Sequence, residues 1–302
     1  MIFGIPSTSR PSVRRTVLQL VGASVALFLA ACSPFRAADL LAPRDGYDRQ
    51  TDVAYGALTR HKLDIYQPTN PNSHNAIIVF IYGGAWRTGN RSDYRFVAQP
   101  FAAAGFTTVV PDYRLHPEVQ FPDFVTDVAA AIAWVHREMV GRDKPPRIVL
   151  VGHSAGAHTV ALLALDSRYL EAEGLSPDII KGWVGIAGPY AFDPIKTAST
   201  REVFATARDD VRRAQPITFA RADAPPGLLL HGSTDGTVYP WNSEELEKAI
   251  KAKGGRVTYK VLDKIGHIAI VVSIAKPGLG GAPVLKEIAG FIEGLKIAGR
   301  KY

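Results

Sequence analysis

The stretch 147–165, RIVLVGHSAGAHTVALLAL, restricts this chain more than any other. Ile148, Val149, Leu150 and Val151 form a short β-branched run that reads as a buried parallel strand, and the apolar, Gly-free run Ala157 to Leu165 reads as a buried helix. Between them lies Gly152-His153-Ser154-Ala155-Gly156. So sharp a strand-to-helix joint needs small residues on both sides of the serine, and Gly152 and Gly156 let strand and helix approach without a Cβ clash. Ser154 is thereby held out of the turn at the positive end of a helix. In a chain with 27 glycines the pattern G-x-S-x-G also arises by chance, so the flanking strand and helix are what make Ser154 a nucleophile candidate.

A nucleophilic serine needs a base to take its proton, an acid to orient that base and donors for the developing oxyanion. Strand Leu228–Leu230 runs into His231-Gly232-Ser233-Thr234-Asp235-Gly236, which puts Asp235 in a tight loop at a strand's carboxyl end, as an acid and as a turn residue. Strand Arg256–Leu262 runs into Asp263-Lys264-Ile265-Gly266-His267, and His267 occupies the corresponding loop. His231 is the rival base, but it lies in the acid's own strand loop, and His158 lies inside the helix after Ser154. Neither leaves the sheet where a base must.

The remaining chain supplies alternating elements. Val53–Tyr55 and Lys62–Tyr66 read as short strands, the second with the alternation of an edge strand. Ile77–Ile81 is a continuous apolar run and so a central strand, opening into Tyr82-Gly83-Gly84-Ala85-Trp86. A helical pattern over 94–104, strand 106–111, an amphipathic helix 122–139, strand 180–186, helix 241–253 and a final helix 284–297 follow. Strands and helices alternating at this spacing imply an α/β fold, a mostly parallel sheet with helices on both faces. The long irregular segment 187–225, with a charged helix-like piece at 201–213, reads as a cap or lid, because a connection of that length in one domain is usually functional.

The N-terminus carries a second message. Arg14-Arg15 precede the uncharged apolar run Val17 to Ala31, which suits a signal peptide better than a membrane span. It closes on Leu29-Ala30-Ala31-Cys32, which resembles a bacterial lipobox; Cys32, the chain's one cysteine, is then the acylated first residue of the mature protein. A plain signal peptide or an uncleaved anchor is the alternative. Val13 to Leu18 weakly resembles a twin-arginine signal, and either route leads out of the cytoplasm. The expected organisation is a leader 1–31, a lipidated tether 32–50 and a catalytic domain 51–302. The formal charge of +7 includes three leader arginines, leaving about +4, too little and too scattered to argue for nucleic acid.

Together Gly83-Gly84-Ala85-Trp86, Asp112-Tyr113-Arg114, Gly152 to His158, the His231-Gly232 to Asp235 loop and Gly266-His267 resemble the α/β-hydrolase superfamily over about Lys62 to Leu295. The branch resembled is that of carboxylesterases related to hormone-sensitive-lipase-like acetyl esterases, with GGxW and GHSAGAH similar also to arylformamidases and prenylcysteine methylesterases. The resemblance implies Ser154 as nucleophile, His267 as base then acid, and Asp235 as its orienting partner, in the order Ser, Asp, His that this superfamily uses. It implies an oxyanion hole from the Ala155 N–H and the backbone of Gly83, Gly84 and Ala85. Tyr82 stands where the family usually has His, which leaves backbone donors intact but alters their surroundings.

Trp86, His153 and Tyr190 are candidate pocket residues, with Trp183 and Phe192 as further aromatics. His153 and His158 do not have the i, i+4 spacing of a helical zinc pair, and no H-E-x-x-H, P-loop or G-x-G-x-x-G sequence occurs, so no metal or cofactor is expected. Three readings remain: an esterase for small acyl or aryl esters, an arylformamidase or other amide hydrolase, and a surface-anchored binding protein that kept the fold without the chemistry. The partner expected is a small-molecule ester, with a lipid anchor to the membrane.

Overall fold

The apolar runs become strands, and the strands form one sheet. The computed structural model describes residues 34–139, 147–275 and 283–295; the leader and Cys32 lie outside them. The strands are β1 (Tyr47–Ala54), β2 (Lys62–Pro68), β3 (Ala76–Ile81), β4 (Thr107–Pro111), β5 (Arg147–His153), β6 (Ile180–Ile186), β7 (Gly227–Gly232) and β8 (Val257–Leu262). Their spatial order is β1-β2-β4-β3-β5-β6-β7-β8. The two junctions involving β2 are antiparallel and the rest parallel. The central strands β3, β5 and β7 are buried almost throughout, which is why they read as unbroken apolar runs.

The helices are α1 (Pro34–Leu41), α2 (Arg95–Ala103), α3 (Asp123–Met139), α4 (Ala155–Leu165), α5 (Arg168–Ala172), α6 (Trp241–Ala252), α7 (His267–Val272) and α8 (Val284–Gly294). The crossover β3–α2–β4 runs one way along the sheet and β4–α3–β5 runs back. Right-handed crossovers in opposite directions put their helices on opposite faces. Accordingly α2 packs with α7 and α8, and α3 packs with α4 and α5. Every residue of α4 is buried, so apart from His158 and Thr159 its sequence is apolar on every face. Because β4 lies on one side of β3 and β5 on the other, the loops leaving β3 and β5 diverge, and a crevice opens at the carboxyl end of the sheet.

Three stretches differ from their sequence reading. The segment expected as a tether holds α1 and the first half of β1, so the expected boundary at residue 51 falls inside a strand. β1 is an edge strand exposed along almost its whole length and held by backbone pairing to β2, so its side chains carry no pattern. The piece 201–213 is not one helix but short 3₁₀ turns at Ala205–Ala207 and Val211–Ala214. There the Asp210 carboxylate accepts from the Arg212 N–H, a local bond that competes with helix continuation, while Val203 and Phe204 turn into the core. His267, expected in a loop, is the first residue of α7.

Segment 187–225 is bound down along its length. Phe121 N–H donates to Val203 O at 2.8 Å, Ala191 N–H to Asn242 Oδ1 at 3.2 Å and Arg221 Nε to Leu165 O at 2.9 Å. No helix among the described residues is long and apolar enough to cross a membrane.

Candidate active site

The joint after β5 is as tight as its glycines imply. A Cβ on Gly152 would lie 2.4 Å from Gly156 O, and one on Gly156 would lie 2.1 Å from Ile81 O, so backbone from three segments meets here without room for a methyl group. Ser154 sits at φ 55°, ψ −121°, a strained conformation for a residue with a side chain, and is pinned by its N–H to Ile186 O at 2.9 Å. That bond fastens the serine to the end of β6 while α4 begins at the next residue.

The acid and base converge on it from the two following strands. His267 Nε2 is 2.9 Å from Ser154 Oγ, and His267 Nδ1 donates to Asp235 Oδ2 at 2.7 Å. The hydroxyl thus points its proton at a ring nitrogen whose opposite face is fixed by a carboxylate, the relay that serine acyl transfer requires. Asp235 Oδ1 accepts from the N–H groups of Thr237 and Val238, both at 2.9 Å. Burial acts to raise the Asp235 carboxyl, but hydrogen bonds from His231, His267 and the Val238 N–H outweigh it and hold the group well below the usual carboxylate range.

His231, rejected as the base, has a different place. Fully buried, it brings Nε2 to 2.8 Å from Val238 O and 3.3 Å from Asp235 Oδ2, with Nδ1 2.8 Å from Ser243 Oγ. Asp235 is therefore held by two histidines. Sequence position ruled His231 out as a base but gave no sign of this contact, since His-Gly at a strand end reads as an ordinary exit from the sheet.

The candidate oxyanion donors lie beside the serine. Gly83 is close enough that a Cβ there would approach Ser154 Cβ to 2.9 Å. Gly84 has φ +124° and is followed by Ala85 and Trp86 at φ 51° and 58°, a left-handed run closed by the Arg87 and Thr88 N–H groups on Gly84 O at 2.9 and 3.0 Å. Among the described residues the N–H groups of Gly84, Ala85 and Ala155 meet no protein acceptor. The last is at the amino end of α4, where the helix dipole adds to its pull on an anion.

Tyr82, in the position where the resembling families have His, anchors this loop from beneath. Its hydroxyl donates to Asp112 Oδ1 at 2.6 Å and accepts from Arg60 Nη2 at 2.9 Å, and its ring stacks between Tyr94 and Tyr113 at 5.2 and 4.8 Å. Asp112 and Asp64, both buried, are bridged by Arg91, which also bonds Asp52. Arg49 adds a 2.7 Å contact to Asp64. A buried ion network thus fixes the strand end from which the oxyanion turn departs.

The three pocket candidates are placed differently from their reading. His153 ends β5 and is carried under the base: its ring lies 4.8 Å from that of His267, and its Nε2–H donates to His267 O at 2.9 Å. Burial, with the His267 ring beside it, pushes its pKa down to about 3, so it is neutral. Trp86 is buried among Phe204 at 4.8 Å, His158 at 5.1 Å and Phe124 at 5.8 Å, and stacks on Phe192 at 6.4 Å. Tyr190 is fully buried in the space that Gly185 of β6 leaves by having no side chain. All three pack and support; none is an open wall. His158 Nε2–H donates to Ala214 O at 2.7 Å and so ties α4 to segment 187–225, with burial lowering its pKa to about 4.

Comparison with known proteins agrees with this architecture. Residues 63–250 match the BD-FAE family profile. The chain is 29% identical over 226 residues to isoprenylcysteine alpha-carbonyl methylesterase of Arabidopsis thaliana, covering 68% of this chain and 53% of that protein. It is 28% identical over 267 residues to esterase LipC of Mycobacterium tuberculosis, covering 82% and 65%. It is 25% identical over 228 residues to kynurenine formamidase of Danio rerio, covering 73% and 75%. The chain thus spans a little over half the length of the plant methylesterase.

Among solved structures, a phosphonate-inhibited esterase B from Lactobacillus rhamnosis superposes with TM-score 0.73 at 20% identity, over 94% of this chain and 96% of that one. A truncated carbohydrate esterase from gut microbiota gives 0.69 at 23% identity, over 83% and 98%. These likenesses establish the α/β-hydrolase fold. With the profile covering more than half of the sequence, the chain belongs to the BD-FAE family.

Proposed function

We propose that this protein is a serine carboxylic ester hydrolase acting on small acyl or aryl esters through an acyl-enzyme. The observation that carries the reading is the hydrogen-bonded line Ser154–His267–Asp235, with contacts of 2.9 and 2.7 Å, beside backbone N–H groups without protein partners. Ser154 Oγ attacks the carbonyl carbon as His267 Nε2 takes its proton. The carbonyl oxygen, now an anion, is met by the N–H groups of Ala155, Gly84 and Ala85. The C–O bond to the leaving alcohol breaks as His267 returns the proton to it. Water then attacks the acyl-serine with the same base, and the acid departs with Ser154 restored. Ser154→Ala should lower kcat on p-nitrophenyl acetate by several orders of magnitude, because the members act as a unit; turnover at the wild-type rate would refute the assignment.

The match to a kynurenine formamidase over three quarters of both chains supports a second reading, cleavage of an aryl formamide by the same machinery. Side-by-side turnover of N-formylkynurenine and p-nitrophenyl acetate separates the two. The Arg14-Arg15 pair, the apolar run Val17 to Ala31 and Leu29-Ala30-Ala31-Cys32 support export and acylation at Cys32. Incorporation of a fatty-acid analogue should disappear in Cys32→Ala.

A further inference from the structure

The large apolar side chains left exposed are gathered at one end of the molecule. Among the described residues they are Leu40, Leu41, Leu58, Tyr239, Trp241, Val261 and Ile268. Leu40 and Leu41 close α1, which lies against the first turn of α2: the Phe96 N–H donates to Asp39 Oδ1 at 3.2 Å, and the Phe35 ring stacks on Phe96 and packs at a tilt on Tyr94. Since α2 descends from the oxyanion loop towards the start of β4, its first turn is at the carboxyl end of the parallel strands. α1 also packs against α7, the helix opened by His267.

Leu58 is in the β1–β2 connection; Leu63 pairs with Pro111 at the end of β4, so this connection too is at the carboxyl end. Tyr239 and Trp241 follow the Asp235 loop, Val261 is one residue from the end of β8, and Ile268 adjoins the base. All seven therefore lie at the catalytic end of the sheet. Singly, exposed apolar residues on a soluble surface need no explanation, but their confinement to one end does. Leu40 and Leu41 are the extreme cases, 69% and 73% exposed on one short helix.

We propose that this end is a membrane-docking face, with Leu40 and Leu41 inserted in a lipid surface and the mouth above Ser154 turned toward it, so that the ester is drawn from the bilayer. The inference rests on the reading of Cys32 as a lipid anchor and adds where the anchored molecule must sit. Pro34 opens α1 only two residues after Cys32, and two residues span at most about 7 Å. An anchor there leaves no slack for the catalytic end to stand away from the lipid. Apolar side chains dipping into the headgroup boundary add their own partition energy to that of the acyl chains.

The test uses the full chain on phosphatidylcholine vesicles whose acyl chains carry bromine, which quenches tryptophan only at contact range. Part of the emission should be quenched, and that part should vanish in Trp241→Phe. Leu40→Asp with Leu41→Asp, or independently Leu58→Asp should the helix variant fold poorly, should weaken the quenching. The same variants should lower the rate on a long-acyl p-nitrophenyl ester embedded in the vesicles by about tenfold or more, and leave hydrolysis of dissolved p-nitrophenyl acetate unchanged. Ser154→Ala must still be quenched, which separates this claim from the hydrolase reading. Emission indifferent to bromine overturns the proposal. So does a vesicle-free, concentration-dependent dimer that the Leu40 and Leu41 substitutions abolish, because the face would then belong to a second copy of the chain.

Discussion

Replacing Asp235 by asparagine changes one atom and should remove almost all activity while leaving the fold in place. The Oδ1 side of Asp235 accepts two backbone N–H groups at 2.9 Å, so the amide oxygen must stay there; turning the amide would set NH₂ against two donors. The NH₂ then takes the Oδ2 position and faces His267 Nδ1 at 2.7 Å and His231 Nε2 at 3.3 Å. His267 can meet that donor only by accepting at Nδ1, which moves its proton to Nε2, where it faces Ser154 Oγ and cannot take a proton from it. The loss is that of a base in the wrong tautomer, about 10³- to 10⁴-fold in kcat, or roughly 4–5 kcal/mol of barrier. The measurement is kcat on p-nitrophenyl acetate near pH 8, with urea unfolding of the same preparation as the control for folding. An asparagine variant within tenfold of wild type would show that Asp235 does not set the tautomer of His267.

The surrounding structure makes further commitments. Gly156→Ala puts a methyl group 2.1 Å from Ile81 O, a backbone atom that cannot swing aside, and should give insoluble or strongly destabilised protein in a soluble-fraction and urea assay. Arg91→Met should cost about 3–5 kcal/mol in urea unfolding, because it leaves buried Asp64 and Asp112 without their shared cation. His153 and His158 are neutral in the fold, with pKa values pushed down to about 3 and 4, so the unfolded chain binds more protons once the pH drops below about 6.5. Stability should fall as pH drops from there toward 4, with a slope of roughly 1 kcal/mol per pH unit for each histidine, and His158→Phe should remove one share. Asp235, whose carboxyl is depressed, contributes stability that is present above about pH 4 and lost as pH falls further. Asp235→Asn should flatten that lower limb, read by unfolding at a series of acidic pH values.

The elbow and the meeting of Ser154, His267 and Asp235 were legible because their constraints are local: small residues at a sharp joint, and an Asp and a His in the loops where β7 and β8 leave the sheet. The parts that escaped were set by contacts between distant segments. His231 has the same His-Gly context whether or not its ring reaches Asp235. His153 lies beside the nucleophile in sequence, yet as the last residue of β5 its ring goes under His267. Trp86 and Tyr190 read as pocket aromatics because residue type marks large apolar groups but not which side of them is covered. β1 was cut short because a strand exposed on both faces has no alternation to read. The clustering of Leu40, Leu58, Trp241 and Ile268 at one end exists only in three dimensions.

The neighbouring strands β3 and β5 carry a consequence for how activity returns on refolding. Ala76 to Ile81 pairs with Arg147 to Gly152 across a loop containing β4 and two helices, and Ser154 meets His267 across 113 residues. Closing loops of that length is entropically late, and nothing shorter brings the Gly84 turn to the serine. A partly folded chain can hold α4 or the β7–β8 pair and still have neither base nor oxyanion donors in reach. Turnover is thus a clock for the last long-range closure of the sheet, and a refolding trace followed by ester hydrolysis should lag the one followed by helix content.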